Sequence, residues 1–336
     1  MKKTLLASAI AAATFSGAVM AQESNMPTVY GNIQYAIAHD NFDGGPSTVD
    51  HFDNGTTLGV SHDHEIAPGI TGFLKVELEG IDADDKAASN GIDSLDEAYI
   101  GVKGDSFGQV WVGSDDSTYE SAIDKIVNFY EVATLNLGGS YDTGEGDLVQ
   151  YLSPSFGGLK LGAAVQINGD GDANNAKKSY PYQLAAIYSA DALELAFAMD
   201  SNDGGDEYSG NGGSINNENT YGLRATYSMG DLSLTGQYQT RKDVADVFGL
   251  QGVYALGSNQ FSLAYEMQTA DDAADTETTT VTLQALHNLS DHMYVYFEGY
   301  LGGGDEVYAY DVDGDGTNDG VTDERSIASV GAVYYF

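Results

Sequence analysis

From about residue 28 onward, apolar and polar residues alternate in runs of about ten, each ending in a turn or in an acidic, glycine-rich connection. In Gln260 to Gln268, Phe261, Leu263, Tyr265 and Met267 fall on one face, and Ser262, Ala264, Glu266 and Gln268 on the other. Thr279 to Asn288 sets Val281, Leu283 and Ala285 against Thr280, Thr282 and Gln284. Leu232 to Arg241 and His292 to Leu301 repeat the pattern, and helical periodicity is nearly absent. A period of two predicts strands with one apolar and one polar face.

Alternation alone fits a soluble sandwich as well, so the connections decide. Short turns fall at 67–69, 104–106, 153–155, 189–191, 229–231, 257–259 and 290–291. Between them lie connections near 39–55, 81–94, 115–146, 168–180, 201–218, 241–245, 270–276 and 303–324, mostly long and acidic. Regular exchange of short and long connections predicts an all-β, transmembrane antiparallel barrel, with tight turns at one rim and large loops at the other. Seven short and eight mostly long connections imply about sixteen strands, enough to leave an aqueous lumen. Closure is required because hydrocarbon cannot hydrate a sheet edge.

The first residues change the compartment. Met1-Lys2-Lys3, an apolar run from Leu5 to Val19 and the small residues Val19 and Ala21 predict a signal peptide over 1–21. Residues 22–336 form the barrel domain, and the charge moves from −38 to −40 as Lys2 and Lys3 leave. Cysteine is absent, which excludes disulfides and thiolate chemistry. So acidic a chain repels nucleic acid and favours cations in any water it encloses, though solvation in a saline habitat would also produce the acidity.

Four segments resemble the general porins of Gram-negative bacteria. They are Val29-Tyr30-Gly31-Asn32-Ile33, Gly69 to Glu77, Glu97 to Asp105 continuing into Val112-Gly113, and Tyr151 to Leu159, in order across the chain. The end, Val330 to Phe336, with Tyr334 and the terminal Phe336, resembles the assembly signal of outer-membrane proteins. The resemblance implies a homotrimer in the cell outer membrane, in contact with lipid and lipopolysaccharide and delivered by the barrel-assembly machinery. It implies a third extracellular loop folded inward as a constriction, passing ions and small hydrophilic solutes. Where the family often carries wall arginines, Thr57, Asp96, Ser114 and Gln150 stand here, while the loop keeps Asp115, Asp116, Glu120, Asp124 and Glu131. A one-sided negative, cation-preferring constriction is therefore expected, with Lys75, Lys103 and Arg224 as the remaining wall cations or as partners of lumen acids.

Other readings stay open. A substrate-specific channel or an adhesin barrel would also carry long acidic loops. Catalysis would need a nucleophile, base and orienting group, and Ser290 near His287 and Asn288 is the one local cluster, so no enzyme is expected. His62 and His64 share a strand face without a third metal ligand. Asp311, Asp313, Asp315 and Asp319 repeat the start of an EF-hand loop, with Gly316 at the turn. The twelfth position is Thr322 where a bidentate Glu is expected, so the segment reads either as a weak calcium site or as a solvated acidic loop. No cofactor is otherwise expected.

Overall fold

A computed structural model describes residues 26–87, 89, 91–92, 94–167, 180–203, 218–312 and 316–336; the leader expected over 1–21 lies outside them. The strands are Thr28–Phe42 (β1), Ser47–Asp53 (β2), Leu58–Ala67 (β3), Ile70–Glu79 (β4), Ser94–Gly104 (β5) and Gly108–Ser114 (β6). Leu148–Leu152 (β7), Leu159–Gln166 (β8), Tyr182–Ala190 (β9), Leu193–Asp200 (β10), Thr220–Met229 (β11) and Leu232–Arg241 (β12) follow. Ala245–Leu256 (β13), Asn259–Ala270 (β14), Glu277–Ser290 (β15), Met293–Tyr310 (β16) and Gly320–Tyr335 (β17) complete the set. Neighbours pair antiparallel, and β17 returns to β1 from Asn32↔Tyr335 to Phe42↔Arg325, closing the barrel.

β2 and β3 pair with successive halves of β1 and form one interrupted strand, so the barrel has sixteen. The break has a local cause. Asp53 Oδ1 accepts from the N–H groups of Gly55 (3.2 Å) and Thr56 (2.7 Å), and Gly55 adopts φ +101°, which other residues rarely reach.

The barrel is inside-out relative to a soluble protein. Gln150, Gln166, Gln183, Gln239, Glu266 and Glu298 are among the largest fully buried side chains, while Leu223, Leu263 and Leu301 face outward, more than half exposed. An outer apolar band and a polar interior are what strands crossing a bilayer require. Among the described residues, no helix is long and apolar enough to cross a membrane.

Two expected loops are shorter than their sequence implied. The segment 39–55 is largely strand, since β1 runs to Phe42 and β2 begins at Ser47. Its residues alternate poorly in sequence, and besides the ladder the Arg325–Asp40 ion pair and the Phe42–Tyr310 ring contact hold them. The 303–324 connection narrows likewise, as β16 reaches Tyr310 and β17 starts at Gly320.

Phe336 clasps the seam. Its N–H donates to the Gly31 carbonyl (3.1 Å), and the Gly31 N–H donates to the Phe336 carbonyl (3.3 Å). Gly31 is required there, because an added Cβ would stand 2.8 Å from the Phe336 ring and 2.6 Å from the Thr57 carbonyl oxygen. Deleting Phe336 is expected to cut the yield of heat-resistant folded barrel severalfold in outer-membrane fractions. A yield equal to wild type would remove the clasp from the account.

Candidate functional site: the lumen constriction

The connection 115–147 after β6 turns into the barrel. Ser117 caps a short helix, Thr118–Ile123 (α1), by accepting from the Glu120 N–H at 3.2 Å. Tyr119 and Ile123 lie against Gly222, where an added Cβ would come within 2.7 Å of each, so glycine admits the helix to the wall. Ile126 rests on Gly249 in the same way, at 2.9 Å.

Polar wall residues then hold the segment along its length. Gln150 accepts from Thr118 Oγ1 (2.7 Å) and donates to the Asp116 carbonyl (3.0 Å). Gln183 accepts from the Tyr119 N–H (3.0 Å), and Gln239 accepts from the Tyr119 hydroxyl (2.8 Å) and donates to Asp124 Oδ1 (2.6 Å). At the tip, Glu298 accepts from the N–H groups of Glu131 (2.9 Å) and Val132 (3.0 Å). On the way back Arg241 grips Asp142 with two hydrogen bonds (2.8 and 2.6 Å). The Asp115 N–H finally donates to the Glu145 carbonyl at 3.0 Å, drawing the return limb beside the outgoing one. Among the described residues, no hydrogen bond of this loop reaches β3, β4 or β5. The open passage therefore runs between the loop and that wall.

Across the passage stand Lys75, Glu77 and Glu97. Lys75 pairs with Glu97 and lies 3.4 Å from Glu77, which also accepts from the Tyr30 hydroxyl at 2.6 Å. On the loop, carboxylate oxygens of Asp116, Glu120 and Glu145 lie within 4.8 Å of one another. Trp111 Nε1 donates to Asp115 Oδ2 at 2.6 Å. Burial, and next the Glu97 charge, push the Asp115 carboxyl up to about 7. Glu120 is likewise pushed up to about 7, first by burial and then by Asp116. Burial and Asp116 also raise Glu145. So many acids with one neutralised lysine facing them leave a net negative eyelet.

The expected site residues divide accordingly. Asp115, Asp116, Glu120 and Lys75 meet at the eyelet, joined by Glu145, which sequence reading missed. Its proximity follows from the loop having to return to β7 beside its point of departure. The other four do not line the open passage. Asp124 is buried under Gln239, and burial raises its pKa. Glu131 accepts from the Tyr294 hydroxyl (2.8 Å) at the loop tip. Arg224 is buried, its Nε donating to the Ala122 carbonyl (2.8 Å) and an NH2 group to Glu194 (2.7 Å), so it pins α1 to the wall. Lys103 pairs with Asp63 (2.6 Å) at the short-turn end.

The remaining candidates have structural employment. His287 Nδ1 meets Asn259 Oδ1 (2.9 Å) and Ser290 Oγ accepts from the His292 N–H (3.2 Å), so serine and histidine serve their turn and not each other. His62 and His64 stack with centroids 6.1 Å apart. Asp311 accepts from the Gly316 N–H (2.8 Å) and Asp319 from the Val312 N–H (2.7 Å), while Asp313 and Asp315 lie outside the described residues.

Comparison with known proteins gives one answer. A family model for Gram-negative porins matches residues 7–305. A monosaccharide porin from a Halomonas species and a major outer membrane protein from Halomonas elongata are each 31% identical over 375 aligned positions, covering 96% of this chain and 99% of the relative. Among solved structures, an anion-selective porin from Comamonas acidovorans superposes with a TM-score of 0.69 at 18% identity, covering 93% of this chain and 99% of its own. OmpT of Vibrio cholerae in its trimer form gives 0.60 at 16% identity, with coverages of 93% and 99%. Such relatives are channels and not enzymes, and their place is the outer membrane. This chain belongs to the Gram-negative porin family, as an outer-membrane channel built on a sixteen-stranded barrel.

Proposed function

We propose that the channel is a general diffusion pore for ions and small hydrophilic solutes, that it prefers cations, and that it assembles as a homotrimer. One observation carries the preference: Asp116, Glu120 and Glu145 converge on the passage opposite Glu97, whose lysine partner is already shared with Glu77. In a narrow passage with walls of low dielectric, such a cluster concentrates cations and depletes anions. The name of the Halomonas monosaccharide porin supports small sugars among the solutes, and the trimer form of Vibrio OmpT supports the assembly.

Purified protein in a planar bilayer should conduct in steps grouped in threes. Replacing Asp115, Asp116 and Glu120 by their amides should reduce the cation-to-anion permeability ratio severalfold, since unit charges about 4 Å apart interact by about 1 kcal/mol even in bulk water. An unchanged ratio in the triple variant would place the selectivity elsewhere.

A further inference from the structure

Lys125 lies two residues beyond α1 and is exposed, although Ile123, Asp124 and Ile126 around it are buried against the wall. Its side chain therefore leaves the opposite side of the loop and enters the lumen. The cations around it are committed: Lys75 to Glu77 and Glu97, Arg224 to Glu194 and the Ala122 carbonyl, Arg241 to Asp142. Lys125 has no ion pair within 4 Å among the described residues. A second inward lysine, Lys160, is the second residue of β8, nearer the short-turn rim.

Resting on the acidic eyelet proposed above, we propose that Lys125 is a specificity-determining residue. Lys125 lies in the turn that Asn128 closes by donating to Glu120 at 3.0 Å, so it sets one free positive charge near the carboxylate cluster to which Glu120 belongs, and the passage favours small zwitterions over neutral solutes of the same size. A zwitterion crossing there directs its ammonium group to the carboxylates and its carboxylate to Lys125, and neither end crosses uncompensated. The Arg224 charge lowers the Lys125 pKa, and the charges of Asp116, Glu194 and Glu120 raise it. Its pKa lies below the ordinary lysine value, first because loop and wall withhold water and next because of Arg224.

Lys125→Gln keeps the stem and removes the charge, and mobility of the unheated protein checks that it folds. Two readouts are needed: the zero-current potential in a KCl gradient, and the rate of swelling of protein-loaded liposomes in glycine against glycerol. The expected result is a severalfold rise in the cation-to-anion permeability ratio, with a severalfold fall in the glycine-to-glycerol rate ratio. An unmoved potential or an unmoved glycine ratio overturns the proposal. The acidic-eyelet reading is judged separately, because the amide variant of Asp115, Asp116 and Glu120 moves the potential in the opposite direction whether or not Lys125 contributes.

Discussion

Glu298→Ala should release the tip of the inward loop and turn a quiet channel into a noisy one. The Glu298 side chain is fully buried and accepts four hydrogen bonds: from the N–H groups of Glu131 and Val132, from Gln284 Nε2 at 2.9 Å and from the Tyr300 hydroxyl at 2.5 Å. Tyr300 in turn accepts from the Ala133 N–H at 2.9 Å, so three successive amides of the tip depend on one carboxylate. Each buried donor left without an acceptor costs about 1–3 kcal/mol, and losses within one network are not additive. A net loss of about 3–4 kcal/mol raises the population of detached tips more than a hundredfold. Single-channel traces should show larger, flickering currents, and the folded barrel should unfold at lower temperature. Glu298→Gln, which keeps one acceptor oxygen, should fall between. Quiet traces from the alanine variant would mean that the rest of the loop, from Gln150 to Arg241, holds it unaided.

Cation preference should climb steeply between about pH 5 and pH 8. Asp115 and Glu120 are both pushed up to about 7, chiefly by burial, so both are protonated at pH 5 and ionised by pH 8. Raising pH thus adds two negative charges to the eyelet, and the permeability ratio should rise severalfold across the window. Stability moves the other way. Both groups hold their protons in the folded chain after the unfolded chain has released them, so the folded state is relatively most favoured below about pH 4. That advantage is lost as pH rises to about 7. A flat permeability ratio from pH 5 to pH 8, or one that falls, would contradict the assignment. Extra salt should flatten the curve, since screening shortens to about 3 Å at 1 M.

Much of this was legible in the sequence, and the exceptions have physical causes. The strand Gln260 to Gln268 shows its two faces plainly because a bilayer on one side and water on the other impose opposite demands. Glu266 is fully buried inside, and Leu263 stands exposed outside. The inward loop was legible only through the resemblance to general porins. Which of its acids face the passage was not, because a loop has no period to sort its side chains. Asp124 and Glu120 look alike in sequence, yet one lies beneath Gln239 and the other opens on the lumen. Arg224 misleads for a related reason. Strand parity correctly points it inward, but only the packed loop shows that its charge meets Glu194 and the Ala122 carbonyl instead of a passing ion. Lys125 and Glu145 left no signal beyond their charge.

The zero-current potential of the wild-type channel tests the central claim most directly. At pH 8, with a tenfold KCl gradient across a planar bilayer, an eyelet lined by Asp116, Glu120 and Glu145 predicts a potential of the cation-selective sign, shrinking as total salt rises. A potential of zero, or one of the anion-selective sign, would contradict the account.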